Sequence, residues 1–220
     1  MRASLARLLF GGSCFLCRGA ARDLLCAECD ADLPRLDFAL CPRCALASPG
    51  GAICGRCLST SPRYDATRAV LAYEFPADAL VHALKFRGEL ALAPWLASLL
   101  GPRIQEDRVD HVVPVPLSRR RLRDRGYNQS VEIARHLRKN LLDVALCERT
   151  REVRPQIELP YDERQSNVRG AFRCTRSLVG ARIAVVDDVM TTGATLNEIA
   201  RTLKAAGAVH VVNWVVARTL

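Results

Sequence analysis

Two adjacent carboxylates, Asp187 and Asp188, stand directly before a run of small and hydroxylated residues at positions 189–195. Threonine hydroxyls and the free backbone N–H groups at a helix start bind phosphate, because the helix dipole also favours an anion there. Gly193 allows the backbone to approach such a phosphate closely. The carboxylates would repel the same phosphate, so we expect them to serve sugar hydroxyls or a hydrated Mg²⁺. The pattern predicts a site for a ligand that carries a phosphate, a ribose and a metal ion.

Two predicted elements hold this run in place. The β-branched apolar residues before it predict a buried strand over 182–187, and apolar residues at helical spacing predict a helix over 193–206, ended by Gly207. The alternative is an ordinary strand–loop–helix corner with a capping threonine, but capping does not account for two carboxylates at a strand end. The candidate binding residues are therefore Asp187, Asp188, Val189, Met190, Thr191, Thr192, Gly193, Ala194 and Thr195.

Strands alternate with helices along residues 61–220. The pattern predicts strands at 70–75, 111–115, 144–147 and 209–216, and helices at 77–86, 90–100 and 129–141. This alternation predicts a parallel α/β sheet that binds its ligand at the carboxyl ends of the strands. Lys85 and Arg87 can reach the same anion, although cations at a helix C-terminus explain them equally well. The long polar stretch at 149–171 indicates a functional loop or lid.

Eight of the ten cysteines form four Cys-x-x-Cys pairs near the N-terminus. Two facing pairs supply the four thiolates that tetrahedral Zn²⁺ binds, so residues 1–60 are predicted to be a double zinc ribbon with two structural ions. Sequential pairing of the knuckles is the simplest arrangement, and interleaved pairing, disulfides and redox-active dithiols are the alternatives. The predicted ligands are Cys14, Cys17, Cys26 and Cys29 for one ion, and Cys41, Cys44, Cys54 and Cys57 for the other.

The formal charge of +9 and the pI of 9.3 favour anionic partners such as phosphates or nucleic acid. Eight thiolates and two Zn²⁺ ions together contribute −4, which lowers the net charge to about +5. The excess of basic residues therefore lies in residues 61–220. The first residues do not form a convincing secretory signal, and no apolar run is long enough to span a membrane. The composition therefore predicts a cytoplasmic protein.

The motif Asp-Asp-Val-Met-Thr-Thr-Gly-Ala-Thr at 187–195 resembles the signature of type I phosphoribosyltransferases, which bind 5-phosphoribosyl-1-pyrophosphate (PRPP). Together with Leu-Lys-Phe-Arg-Gly-Glu at 84–89, Val-Pro-Val-Pro at 113–116, Arg-Gly-Tyr-Asn-Gln at 125–129 and the cysteine pairs, it resembles the ComF family. That family is associated with natural competence and the use of external DNA. The resemblance implies a parallel-sheet phosphoribosyltransferase fold over 61–220, behind a zinc-ribbon module at 1–60.

The resemblance also implies roles for individual residues. Asp187 and Asp188 would hold the ribose hydroxyls, residues 191–195 would hold the 5′-phosphate, and Mg²⁺ would accompany PRPP. Pyrophosphate would be bound by the loop after the strand at 111–115 and by the lid. The residues assigned to it are Arg125, Asn128, Gln129, Arg149, Thr150, Arg164 and Asn167.

Three functions are compatible with these features. The first is Mg²⁺-dependent transfer of a phosphoribosyl group from PRPP to an amine or base, with an acceptor that no residue indicates. The second is handling of single-stranded DNA by the arginines at 119–125, with the pocket as a ligand sensor or a relic. The third is an adaptor that docks other DNA-uptake proteins on its zinc ribbons.

Overall fold

The computed structural model describes residues 12–151 and 168–220. Four parallel strands form its central sheet: β3 (Ala66–Ala72), β4 (His111–Pro114), β7 (Arg182–Met190) and β8 (His210–Arg218). Their order in the sheet is β3-β8-β7-β4. Among the described residues, β7 lies between β8 and β4. The chain that follows β7 therefore leaves the sheet from one of its inner strands.

Helices cover both faces of this sheet, because β7 and β8 are apolar on both sides. Alternate residues of β7 point to opposite faces, so Ala184 and Val186 pack into one core cluster, and Ile183 and Val185 pack into the other. The first cluster also contains apolar side chains of α3 (Ala77–Phe86), α4 (Leu92–Ile104) and α6 (Gln129–Ala134). The second contains those of α7 (Ala194–Ala205).

The cysteine-rich part of the chain contains β1 (Gly12–Ser13), β2 (Ala20–Ala21), α1 (Ala27–Ala31) and α2 (Gly55–Thr60). The segment that joins its two cysteine clusters runs antiparallel along the edge of β3. The Leu36 N–H donates to the Val70 carbonyl at 3.0 Å, and the Ala72 N–H donates to the Pro34 carbonyl at 2.7 Å. This pairing covers the β3 edge of the sheet. The predicted domain boundary at residue 60 stays a prediction, and the two parts share their cores.

The predicted fold class is confirmed: an α/β domain with a parallel sheet follows a cysteine-rich module with two four-cysteine sites. Several local predictions differ from the structure, among them the strand predicted at 70–75, which is β3 at Ala66–Ala72. The basic stretch after β4 contains a helix, α5 (Arg119–Arg125), because the Ser118 hydroxyl caps its start and Gly126 ends it at φ 80°. The helix predicted over 129–141 ends at Ala134 and resumes as a 3₁₀ turn after Arg138, whose φ and ψ are −132° and 75°.

The strand predicted at 144–147 is displaced by a few residues along the chain. It is β5 (Cys147–Arg149), which pairs antiparallel with β6 (Phe172–Cys174) in a separate two-stranded sheet. In the chain, these two strands stand at the beginning and the end of the predicted lid segment at 149–171. Residues 152–167, which include Arg164 and Asn167, lie outside the described part of the chain.

Candidate functional site

The two carboxylates lie near the carboxyl end of β7 and are held by different partners. The Ser130 hydroxyl and the Asp188 backbone N–H each donate to Oδ1 of Asp187 at 3.0 Å. Asp188 is buried, and its Oδ1 accepts the Val189 N–H at 2.8 Å. Its Oδ2 lies 2.8 Å from Nζ of Lys85, which comes from the last turn of α3. The carboxylate pair is therefore bound to one cation before any ligand arrives.

Burial and the neighbouring charge of Asp188 raise the pKa of Asp187 to about 8, against the weaker opposing effects of Lys85, the Asp188 N–H and Ser130. Burial on its own would lower the pKa of Lys85, but attraction to Asp188 and Asp187 outweighs it, so the pKa is raised. Lys85 therefore stays protonated, and it neutralises only one of the two carboxylates. A ligand that donates hydrogen bonds to Asp187 would stabilise its ionised form.

We expect the free energy of unfolding to depend on pH through Asp187. The folded chain keeps a proton on this carboxyl that the unfolded chain has lost, because its pKa is about 8 instead of 3.8. The free energy of unfolding therefore falls as the pH rises from 3.8 to about 8. Asp187→Asn should remove this dependence. The free energy of unfolding of the variant, relative to that of the parent chain, should therefore increase by ~1–2 kcal/mol between about pH 6 and 8.5. Zinc stays bound in this pH range. Urea unfolding of both chains measures it, and an advantage that does not change with pH would contradict it.

The threonine-rich run joins β7 to the twelve-residue helix α7. Gly193 precedes the helix at φ 82°, and the Ala194 N–H donates to the Thr192 hydroxyl at 3.2 Å. This run and the carboxylates line one cavity of about 280 Å³. The residues of the predicted motif that line it are Asp187, Asp188, Val189, Met190, Thr191, Gly193, Ala194 and Thr195.

The residues predicted to bind pyrophosphate are distributed over several positions. Gln129 and Arg149 line the same cavity as the carboxylates, whereas Arg125 lines the cavity beside it and Thr150 lines a third. The side chain of Asn128 caps α6 by accepting the Ser130 N–H at 2.9 Å, and it donates to the Val115 carbonyl at 3.0 Å. The predicted role of these five residues in binding pyrophosphate stays a prediction.

Arg218, at the end of β8, connects the loop after β7 to the zinc module. It is 1% exposed, and its guanidinium donates to the Cys44 carbonyl at 3.0 Å and to the Met190 carbonyl at 2.8 Å. It also donates to the carbonyls of Thr191 and Thr219. The sequence does not identify this residue, because its partners other than Thr219 come from two segments that are distant in the chain. The second cysteine cluster therefore helps to support the backbone below the candidate phosphate site.

We expect Gly193→Ala to distort this loop. A Cβ at this position would lie 2.6 Å from Cε of Met190 and 3.1 Å from the Tyr64 hydroxyl, at a φ that alanine rarely adopts. The substitution should cost ~1–3 kcal/mol of unfolding free energy and weaken phosphate binding. Gly180→Ala is the matched control, since Gly180 has φ 78° with no atom within 4 Å of its added Cβ. Thermal unfolding and titration with ribose 5-phosphate test this, and equal losses in the two variants would contradict the role of crowding.

The eight paired cysteines form two separate clusters, Cys14/17/26/29 and Cys41/44/54/57, and the sulfur atoms of each lie within 4.8 Å of one another. The sequential pairing of the knuckles is therefore the one that the structure adopts. Two sulfurs on one tetrahedral zinc, each ~2.3 Å from it, lie about 3.8 Å apart. The Sγ atoms of Cys17 and Cys26, and those of Cys44 and Cys54, are 3.6 Å apart. Both clusters thus have the chemistry and the spacing for a structural zinc ion.

Comparison with known proteins agrees with this arrangement. Residues 5–58 match the family described as "Double zinc ribbon domain". The chain is 35% identical to "DNA utilization protein YhgH" of Escherichia coli and 30% identical to "Competence protein F" of Haemophilus influenzae. Each alignment covers 95% of this chain and 98% of the relative.

A solved structure of a purine phosphoribosyltransferase from Pyrococcus horikoshii is similar with a TM-score of 0.33 and 20% identity, over 54% of this chain and 67% of that one. Within residues 12–151 and 168–220, no helix is long and apolar enough to cross a membrane. Because both relatives align over nearly their whole length, the chain belongs to the ComF family of competence and DNA-utilisation proteins.

Proposed function

We propose that this chain binds PRPP with Mg²⁺ in the cavity at the end of β7, as a phosphoribosyltransferase-like protein of the cytoplasm that serves the use of external DNA. One observation carries the proposal: the carboxylate pair and the N-terminal end of α7 line the same cavity. Asp187 and Asp188 accept hydrogen bonds from the ribose hydroxyls. The 5′-phosphate lies at residues 191–195, where the helix dipole favours it.

Other residues that line the cavity suit the pyrophosphate. Arg121 and Arg149 line it together with Gln129, and arginine binds phosphate oxygens through paired N–H donors. Mg²⁺ prefers phosphate oxygens and water, so the pyrophosphate supplies ligands that bring this ion into the site with it. In the reaction that we propose, an amine or base displaces the pyrophosphate from C1 of the ribose.

Calorimetric titration of the zinc-loaded chain with PRPP and Mg²⁺ tests this proposal. We expect micromolar binding of PRPP, and weaker binding of ribose 5-phosphate and of Mg²⁺–pyrophosphate separately, because each occupies only part of the cavity. Absence of heat with millimolar PRPP would exclude the proposal. Binding of pyrophosphate as tight as that of PRPP would remove the proposed role of the ribose and its carboxylates.

The exposed arginines of α5 favour a second function, binding of single-stranded DNA. Arg119, Arg120 and Arg123 are exposed on this helix. The carboxylate of Asp124 forms a long ion pair with Arg120, with 3.8 Å between Oδ2 and Nε. Phosphate contacts made by such arginines release counterions, so affinity should fall steeply with salt. Fluorescence anisotropy with labelled oligothymidine at several salt concentrations tests it. An affinity that does not change with salt would exclude this function.

A further inference from the structure

Two cysteines lie outside the zinc clusters, and the fold places them next to each other. Cys147 is in β5 and Cys174 is in β6, and the two residues are directly opposite each other in the antiparallel pair. The other eight cysteines are divided between the two four-sulfur clusters. These two thiols are therefore not needed as zinc ligands, and pairing of the two strands brings them together from distant positions in the chain.

The hydrogen-bond pattern of this strand pair brings the two cysteine backbones close to each other. The Thr175 N–H donates to the Leu146 carbonyl at 3.0 Å, so the neighbouring pair of residues is hydrogen-bonded. Because the two kinds of pair alternate along an antiparallel ladder, Cys147 and Cys174 form a non-hydrogen-bonded pair. The Cα atoms of such a pair are about 4.5 Å apart, and a disulfide spans roughly 4.4–6.8 Å between Cα atoms. The backbone therefore needs little movement to accept a disulfide here.

The two side chains also lie on the same face of the strand pair, as directly opposed residues do. Cys147 is buried in the core cluster that contains the side chains of α7, and Cys174 is half-buried against the same cluster. The Cys174 thiol donates to the Arg176 carbonyl at 3.1 Å. Rotation about the Cα–Cβ bond of Cys174 would break this contact and turn its sulfur towards Cys147. A change of one side-chain rotamer thus separates the two free thiols from a disulfide.

The two thiols differ in their reactivity. Burial and the neighbouring charges of Cys174 and Glu148 raise the pKa of Cys147 to about 12, so this buried thiol stays protonated at neutral pH. The thiolate is the reactive form of cysteine, and the half-buried Cys174 is the more accessible of the two. Once the sulfur of Cys174 is bound to another sulfur, it no longer carries a negative charge that opposes ionisation of Cys147. Cys174 is therefore suited to react first and Cys147 second.

We infer that Cys147 and Cys174 form a reversible cross-strand disulfide when the chain meets a low-molecular-weight disulfide such as oxidised glutathione. The Cys174 thiolate attacks one sulfur of that reagent and releases the first thiol. The Cys147 sulfur then attacks the Cys174 sulfur of the mixed disulfide and releases the second. The two protein thiols are oxidised and lose their protons, and the reagent is reduced to two thiols that take them up.

The disulfide would join the two strands that stand at the beginning and the end of the segment at 149–171. It closes a loop of residues 148–173, which removes conformational freedom from the unfolded chain. Arg149 lies two positions after Cys147 on β5 and lines the candidate PRPP cavity, so oxidation would restrain the strand that carries it. The inference concerns the two thiols alone and does not rest on the proposed binding of PRPP.

Glutathione redox buffers applied to the zinc-loaded full chain test the inference. After denaturation in an alkylating reagent, trypsin cuts behind Arg149 and Arg173 and places the two cysteines on separate peptides. We expect mass spectrometry to find these peptides joined in a chain that still holds both zinc ions, and separate after treatment with dithiothreitol. The oxidised chain should also melt about 5 °C higher than the reduced one, because of the closed loop.

Two variants separate the roles of the cysteines. Cys147→Ala should keep glutathione on Cys174 as a mixed disulfide, because the second thiol is missing. Cys174→Ser should form no cross-link and should leave the buried Cys147 unmodified at the same time point. Metal analysis and circular dichroism in dithiothreitol are the controls that both variants are folded.

Three results would overturn the inference. The first is a parent chain in which both thiols stay free, or in which Cys174 keeps its glutathione as it does in Cys147→Ala, since the two sulfurs would then be out of reach. The second is release of zinc and oxidation of its ligands before Cys147 and Cys174 are joined. The third is a joined chain that melts below the reduced one, because the disulfide would then distort the strand pair.

Discussion

Asp187→Asn and Asp188→Asn should both weaken PRPP binding, by about 10- to 100-fold each, and should change stability in opposite directions. Each substitution removes a carboxyl acceptor for a ribose hydroxyl. At Asp187 the hydrogen bonds from the ligand would favour the ionised form against its raised pKa. Hydrogen bonds to charged groups contribute ~1.5–3 kcal/mol. At Asp187 the substitution also removes a carboxyl that is destabilised by burial and by its neighbour. We therefore expect the melting temperature to rise by about 3–6 °C.

At Asp188 the same change has the opposite effect on the fold. Asp188 is 2% exposed and pairs with Lys85 at 2.8 Å, so its loss leaves a largely buried ammonium group without its nearest partner. The free energy of unfolding should fall by ~1–3 kcal/mol. Opposite shifts in stability with the same loss of affinity would separate ligand binding from folding in a way that one variant cannot.

Calorimetry with PRPP and differential scanning fluorimetry measure the two effects on the same samples. Asp37→Asn is the control, because Asp37 is an exposed carboxylate paired with Arg103 and does not line the candidate cavity. It should change neither affinity nor melting temperature appreciably. Unchanged PRPP affinity in both site variants would remove the carboxylates from the proposed binding mode.

Removal of zinc should have the largest effect on the fold. Binding of a structural zinc by four thiolates supplies about 10 kcal/mol or more, which is comparable with the whole stability of a domain. Because the cysteine module pairs with β3 and shares its core, chelation should unfold that module and expose the edge of the sheet as well. Circular dichroism and limited proteolysis before and after chelation measure this, and unchanged protease resistance would contradict a structural role for the metal.

The two zinc sites should differ in their effect on ligand binding. Arg218 connects the Cys44 carbonyl to the carbonyls of Met190 and Thr191, so the second cluster is the one in direct contact with the loop. Arg218→Lys keeps the charge but offers fewer donors in a less rigid geometry. It should leave two zinc ions per chain and weaken ribose 5-phosphate binding by about 10-fold. Metal analysis and calorimetry test this, and unchanged affinity in a fully metallated variant would exclude the connection.

The cysteine spacing and the acidic–threonine run were sufficient to predict the zinc clusters and the candidate site. Each depends on residues close together in the chain, whose backbone geometry brings their side chains into one place whatever surrounds them. The two knuckles of each zinc cluster are separated by short loops, and Asp187, Asp188 and the loop before α7 are continuous. The alternation of strands with helices also predicted the parallel sheet. The apolar run before Asp187 predicted a buried strand, because burial on both faces requires apolar residues at successive positions.

Only the tertiary structure determined the partners of these residues. Lys85 and Asp188 are about 100 positions apart in the chain, and a lysine near a helix C-terminus has a sufficient local explanation. The same holds for Arg218, whose partners Cys44 and Met190 lie far from it in the chain. Local pattern specifies which groups a segment carries, whereas packing of distant segments decides which of them share a cavity or a charge.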